Sequence, residues 1–302
     1  MKANTATLYG ILAIVLWSSL IALIRSVASN FGAITGAASI YSLGAILLLV
    51  VVGLPNLKKS SPTYLIVCGL MFAVYEICLA LSIGFAHNHT QTIEVSMLNY
   101  LWPCLTVIFA IFMNNQRASL LIIPGSLLAL FGIAWILSGN NFSLISIYNN
   151  LKTNPLSYGL AFSGAVIWAL YCNITKRFSD QKNGVTLFFA ITAACLWTMH
   201  FMSHKTIPQV GGFAYLELLM AAAAMACGYA LWNVGITKGN MTLLATASYF
   251  TPVLSSAFAT FWLGSSLNWQ FWQGAGLVIC GSLICWWSTR QPAQIKEVHK
   301  KS

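Results

Sequence analysis

Of the five acidic residues in this chain, three lie inside long apolar runs: Glu76, Glu94 and Glu217. An ionised carboxylate at the middle of a hydrocarbon layer costs at least about 2.5–3.5 kcal/mol, so each must meet a cation, exchange a proton or be tied by hydrogen bonds. Position within the run separates them. Glu94 falls in the first turn of its run and Glu217 in the first turns of its own. Both are near a surface and beside a helix N-terminus that favours an anion, which points to a structural role. Glu76 sits deep in the run 63–85. It faces either a central cavity, where it meets a solute's ammonium or takes up a proton, or a packed interior, where a protonated or internally bonded carboxyl holds helices together.

Aromatic residues add a second pattern. Trp and Tyr normally gather at the two faces of a bilayer. Here Trp17, Tyr41, Tyr75, Tyr100, Trp102, Trp168, Tyr171, Tyr229, Trp232 and Tyr249 fall at mid-run positions. Trp168 and Tyr171 share a helical face at i, i+3, and Tyr229, Trp232 and Asn233 share another. Together they are either ordinary packing or the wall of an amphipathic cavity. Such a cavity would stack rings on a flat apolar solute while tyrosine hydroxyls and Asn99 or Asn233 engage its polar end. Thr92, Ser96, Asn99, Pro103 and Thr106 follow a helical spacing along one face, and Ser248, Pro252 and Ser255 repeat a shorter version. These are expected to mark two proline-kinked helices, close-packed or lining the same cavity. His87 and His89 share a short loop without further ligands, so no metal site is expected, and no phosphate-binding loop or hydrolase elbow occurs.

The elements that must position these groups follow from composition. Charged residues are 7% of the chain, against roughly 25% in an average soluble protein. That is too few to clothe a water-exposed surface. Apolar stretches of the roughly 20 residues that cross a bilayer occur at 6–27, 34–54, 63–85, 91–113, 119–138, 157–178, 183–204, 213–237, 241–263 and 269–289. The first is longer than the core of a cleavable signal and is read as a span. The eight cysteines lie inside these runs with no C-x-x-C pair, as small hydrophobes do. The fifteen basic residues fall singly or in pairs between runs, which argues against a nucleic-acid partner. With the N-terminus inside, all of them but Arg25, Lys152 and Lys205 lie on the cytoplasmic side, so the expected fold is an all-α integral membrane protein of ten spans with both termini cytoplasmic.

The two halves echo each other. Tyr100-Leu101-Trp102-Pro103 matches Tyr249-Phe250-Thr251-Pro252, and Gly125 and Gly132 match Gly274 and Gly281, every pair 149 residues apart. Trp17 and Arg25 echo Trp168 and Lys176 at an offset of 151. Five spans is an odd number, so a second copy enters from the opposite face, giving two inverted five-helix repeats at 1–148 and 149–290 and a basic tail at 291–302. A central site between inverted copies can open to either side in turn, which favours a carrier.

These residues resemble the drug/metabolite transporter superfamily of the EamA type, and within it the bacterial exporters of aromatic amino acids. The resemblance is carried by AIVLWSSLIALIRSV, AASIYSLG, YEICLALSIGFA, IEVSMLNYLWPCLTVIFAI, WNVGITKGN, SYFTPVLSSA and FWQGAGLVICGSL. It implies export of Phe, Tyr and Trp from the bacterial inner membrane by alternating access, with tolerance of some other amino acids and of flat dications of the paraquat type. It also implies a cavity lined by the first, third, fourth, sixth, eighth and ninth spans. Carried onto this sequence, the substrate-binding residues are Trp17, Tyr75, Glu76, Asn99, Tyr100, Trp102, Trp168, Tyr171, Tyr229, Trp232, Asn233 and Tyr249, with Pro103 and Pro252 as kinks or gates. The partners are then a small-molecule substrate and the lipid bilayer, with no cofactor; proton exchange and downhill efflux both stay open, as does the oligomeric state. Two rivals remain: efflux of flat aromatic cations or a broader set of metabolites, with Glu76 as counter-charge, and a membrane-embedded enzyme acting on lipid. The second lacks a reactive cluster, since His87 and His89 have no acidic partner in their loop.

Overall fold

The computed structural model describes residues 3–56, 60–114, 119–138, 143–178, 184–204, 206, 208–239, 244 and 247–288. Among them every regular element is helical. In chain order these are α1 (Ala3–Phe31), α2 (Ala33–Val51), a π-helical stretch (Tyr64–Cys68) running into α3 (Gly69–Gly84), α4 (His89–Asn99), α5 (Trp102–Asn114) and α6 (Ile122–Leu137). Then come α7 (Leu144–Thr153), α8 (Pro155–Phe178), α9 (Val185–Met202), α10 (Gly212–Lys238), α11 (Thr251–Leu263) and α12 (Trp269–Ser288). Lys2, Lys58, Lys59, Arg117, Lys182, Lys205 and the tail 291–302, used above for orientation and domain limits, lie outside the described residues, as does most of 240–246.

Among the described residues, seven helical stretches are long and apolar enough to cross a bilayer: Asn4–Phe31, Ala33–Val51, Tyr64–Gly84, His89–Met113, Pro155–Thr175, Val185–Met202 and Gly212–Trp232. Within the described residues, three of the ten expected spans fall short of that standard. The helix Ile122–Leu137 is apolar but only 16 residues long, about 24 Å at 1.5 Å per residue. α11 has 13 residues, and α12, although 20 long, is diluted by Gln, Gly and Ser. Outward-facing side chains along the helices are apolar, with Val50 80% and Phe261 84% exposed. Surfaces of that kind belong in lipid, because soluble monomers rarely expose large contiguous apolar patches.

Local chemistry explains the reversals and breaks. Gly32 alone joins α1 to α2 at φ +83°, a conformation that a Cβ disfavours. The fourth span is interrupted at Tyr100 and Leu101, and α5 starts afresh at Trp102-Pro103. Pro103 has no N–H to give the Asn99 carbonyl, so the ladder cannot continue through it. The expected kink is therefore a break, and Thr92, Ser96 and Asn99 do not share one continuous helical face with Pro103 and Thr106. Pro252 opens α11 in the same way.

Two hydrophobic cores form, and each mixes helices from both halves of the sequence. One gathers α1, α2, α3, α9 and α10 around Tyr41, Phe72, Phe188 and Phe189; the other gathers α4, α6, α8, α11 and α12 around Met97, Ile133, Tyr158 and Phe271. The helices α6 and α12 touch backbone to backbone. A Cβ on Gly132 would lie 2.7 Å from the Gly274 carbonyl oxygen, and one on Gly281 would lie 2.6 Å from that of Gly125. Gly125 thus faces Gly281 while Gly132 faces Gly274, so the two helices run antiparallel. Each member of a 149-residue pair meets the counterpart of the other.

One helix lies where the sequence suggested no element. α7 occupies 144–153, capped by Ser143 Oγ, which accepts from Ser146 N at 3.3 Å. Ile147 and Leu151 pack on the second core while Leu144, Ile145 and Tyr148 are exposed. Asn150 Nδ2 ties it down, donating to Glu94 Oε2 at 3.2 Å and to the Leu137 carbonyl at 3.3 Å.

Candidate functional site

Between the two cores lies a cavity of about 320 Å³, walled by α1, α3, α4, α5, α8, α10, α11 and α12 together with the turn residues at both helix breaks. Its size falls within the roughly 300–1,000 Å³ range of small-molecule pockets. Trp17, Tyr75, Glu76, Asn99, Tyr100, Trp102, Trp168, Tyr229, Trp232 and Tyr249 all line it, as do Pro103 and Pro252. The two helix breaks bring Tyr100, Trp102, Tyr249 and Thr251 to the wall, where the paired motifs of the two halves meet.

Glu76 is 2% exposed and held through both oxygens. Tyr41 on α2 donates its hydroxyl to Oε2 at 2.6 Å, and Tyr229 on α10 donates to Oε1 at 2.6 Å. The carboxyl therefore bridges three helices and reaches the cavity at once, so both readings drawn from the sequence describe part of its setting. Each phenol takes one of the two lone pairs of its oxygen, so a second lone pair stays open on both. The rings around Tyr229 fix it in turn: Trp17, Phe72 and Phe189 lie 5.2, 5.6 and 5.5 Å from it between centroids.

The aromatic wall has two patches. Trp17 meets Tyr229 and Trp232 at 5.2 Å each, joining α1 to α10. Trp168 on α8 meets Tyr75 at 4.4 Å and Trp102 edge-on at 6.4 Å. Tyr171 is stacked on Trp168 at 4.8 Å but does not reach the cavity, where Cys172 takes the place one turn beyond Trp168. The side chain of Asn233 lies outside the described residues. Two buried polar atoms of lining residues have no partner among the described residues, and both are turned away from the cavity: Trp17 Nε1 toward Gly228 and Asn99 Oδ1 toward Gly164.

Other sequence candidates have local partners. Ser96 and Thr106 bond the Ile93 and Trp102 carbonyls of their own helices at 2.7 Å, and Thr92 bonds that of Asn88 at 3.1 Å. Glu94 accepts from Tyr158 at 2.6 Å, and Glu217 accepts from Asn30 Nδ2 at 3.0 Å, so both cross-link helices. His89 Nδ1 lies 2.7 Å from the Leu263 carbonyl oxygen. Arg25 Nη1 reaches the Ile83 and Gly84 carbonyls at 3.4 and 3.3 Å, closing the end of α3. Sequence reasoning missed the contribution of α12, where Val278, Ile279 and Ser282 line the cavity, and that of Met225; Ser248, named with Pro252 on a cavity-lining or close-packed face, does line it. It named Tyr41 as a mid-span ring but gave no hint that it clamps Glu76.

Comparison with known proteins places this geometry. The profile of the EamA-like transporter family matches the chain twice, over residues 4–138 and 155–287. A protein of Escherichia coli (strain K12) named aromatic amino acid exporter YddG is 48% identical over 292 residues, 96% of this chain and 100% of its own length. The protein of that name from Salmonella typhimurium (strain 14028s / SGSC 2262) is also 48% identical, with the same coverage. One from Ancylobacter novellus is 26% identical over 270 residues, 85% of this chain and 88% of its own length. A solved crystal structure, 23% identical, shares the fold with a TM-score of 0.64 over 94% of this chain and 96% of its own.

Proposed function

The chain belongs to the EamA-like transporter family, and on that footing we propose that it exports the aromatic amino acids Phe, Tyr and Trp across a bacterial inner membrane by alternating access. One observation carries the reading: a cavity of about 320 Å³ whose walls are tryptophan and tyrosine rings around a single carboxylate. Rings can stack on the solute's side chain, while Glu76, Asn99 and the tyrosine hydroxyls meet its polar end. Relatives of nearly full coverage bear the name of such an exporter.

The transport geometry proposed is ten spans in two inverted five-helix repeats, with both termini cytoplasmic. The reciprocal glycine contact of α6 and α12 supports the inversion, because a two-fold axis in the membrane plane turns each helix onto the other, head to tail. The breaks before Trp102 and Thr251 let half-helices tilt separately, so Pro103 and Pro252 serve as gates. The chain acts as a carrier and not as an enzyme, with no cofactor.

The test is counterflow of labelled Phe in proteoliposomes, with and without an imposed pH gradient. Saturable Phe exchange that Glu76→Gln cuts by about tenfold or more, the loss of one hydrogen bond to a charged group, is the expected result. A gradient-driven gain would assign a proton to Glu76, and equal rates would assign downhill efflux. Absence of aromatic flux from a folded, reconstituted protein overturns the substrate claim. A reporter fused to the C-terminus checks orientation.

A further inference from the structure

Chemistry on the cavity wall is asymmetric with respect to charge. Glu76 is its acidic side chain, and among the described residues that line it there is no Lys, Arg or His. Arg25, the cation of α1, is engaged by the Ile83 and Gly84 carbonyls at the end of α3. With Glu76 ionised, a zwitterionic solute meets a full opposite charge at its ammonium, but only neutral groups at its carboxylate. A hydrogen bond with either group ionised is roughly twice as strong as a neutral one, and an ammonium on a carboxylate adds the attraction of two full charges. A carboxylate offers about four acceptor positions. Tyr41 and Tyr229 occupy one on each oxygen of Glu76, which leaves room for an ammonium. Rings on the same wall, Trp17 beside Tyr229 and Trp168 beside Tyr75, are of the type that attracts a cation lying over a face.

We propose that this cavity recognises its solute through the ammonium group and not through the carboxylate. Arylalkylamines and aromatic amino acid amides, which keep the ring and the amine but carry no carboxylate, are then substrates as well. Aryl acids with the ring and carboxylate but no amine are excluded. The inference rests on the exporter reading, and it names the chemical class that the same site accepts.

The experiment is trans-stimulation in proteoliposomes loaded with labelled Phe, with efflux measured while the outside holds Phe, phenethylamine, phenylalaninamide or 3-phenylpropanoate. Reading labelled Phe keeps passive entry of the free amine from counting as transport, and protein-free vesicles give the background. The amine and the amide are expected to stimulate efflux to within about tenfold of Phe, the propanoate is expected to do nothing, and Glu76→Gln to abolish stimulation by the amine. Stimulation by the propanoate equal to that by the amine overturns the inference. So does Phe exchange without amine exchange, which leaves the exporter reading standing. Saturable binding and uptake of labelled amine without Phe exchange supports the inference and defeats the amino acid reading, and movement of neither defeats both. Should Glu76→Gln misfold, Tyr229→Phe, which removes one donor and leaves the carboxylate, replaces it: loss of discrimination between amine and propanoate is not expected there, and its appearance counts against Glu76 as the anchor.

Discussion

Replacing Gly281 by Ala should destabilise the protein although the change adds a single methyl group. A Cβ at this position would lie 2.5 Å from Ala129 N, 2.6 Å from the Gly125 carbonyl oxygen and 2.9 Å from Ala129 Cα. All three atoms are backbone, so no side chain can rotate aside. To reach the 3.5–4.0 Å optimum of carbon contacts, α12 must retreat from α6 by about 1 Å. That retreat also loosens the Gly132–Gly274 contact half-way along the same seam, where backbone atoms would be 2.7 Å from an added Cβ. Overpacking of this kind costs about 1–3 kcal/mol. Against it stands a gain of about 1 kcal/mol, because Ala is the better helix former. Gly276 provides an internal control on the same helix: nothing lies within 4 Å of its Cβ position. Gly276→Ala should therefore be neutral or stabilising, and Gly281→Ala should melt several degrees lower, by differential scanning fluorimetry in one lipid or detergent. If the two variants melt together, or Gly281→Ala melts higher, the seam is not close-packed as described and the reasoning fails.

Three further outcomes are expected. Tyr41→Phe and Tyr229→Phe each delete a 2.6 Å hydrogen bond to Glu76, worth about 1.5–3 kcal/mol when the acceptor is charged. Both should lower the melting temperature, but Phe counterflow should fall more for Tyr229→Phe, since Tyr41 lies behind the wall; equal losses would contradict that placement. Pro103→Ala returns a donor to the Asn99 carbonyl, and should slow amide hydrogen exchange across 99–105 and reduce the transport rate more than substrate affinity. Asn150→Ala frees Glu94 and the Leu137 carbonyl from α7, at about 1–3 kcal/mol, and should speed amide exchange through 144–153 while leaving α8 protected.

Long apolar runs made most of the helices visible in the sequence, because a segment that must satisfy its own backbone in lipid has little choice but to be helical. Such runs say less about where a helix is interrupted. Tyr100 and Leu101 belong to the apolar run 91–113, and Pro103 alone hinted that the ladder fails there. α7 was hidden for the opposite reason: SLISIYNNLKT is too short and polar to stand out, and its inner face is defined only by where Asn150 and Leu151 dock. At the cavity, mid-span rings were legible as a set because their chemistry is unusual at that depth. Their individual directions were not. Trp168 and Tyr171 share a face by spacing, yet only Trp168 reaches the wall. Tyr229 and Glu76 are 153 residues apart and Tyr41 and Glu76 35 apart, and no pattern along a chain announces such a meeting. The wall contributed by α12 looked like packing because Val278 and Ile279 are the residues that packing uses.

The α6–α12 contact has an implication for assembly. Since Gly125 corresponds to Gly274, and Gly132 to Gly281, each surface is its own mate. Under the proposed inverted arrangement, two separate copies of a single five-helix chain, threaded through the bilayer in opposite senses, would present the same pair of notches to each other. A half-length version of this protein would thus carry the whole instruction for the joint within one sequence.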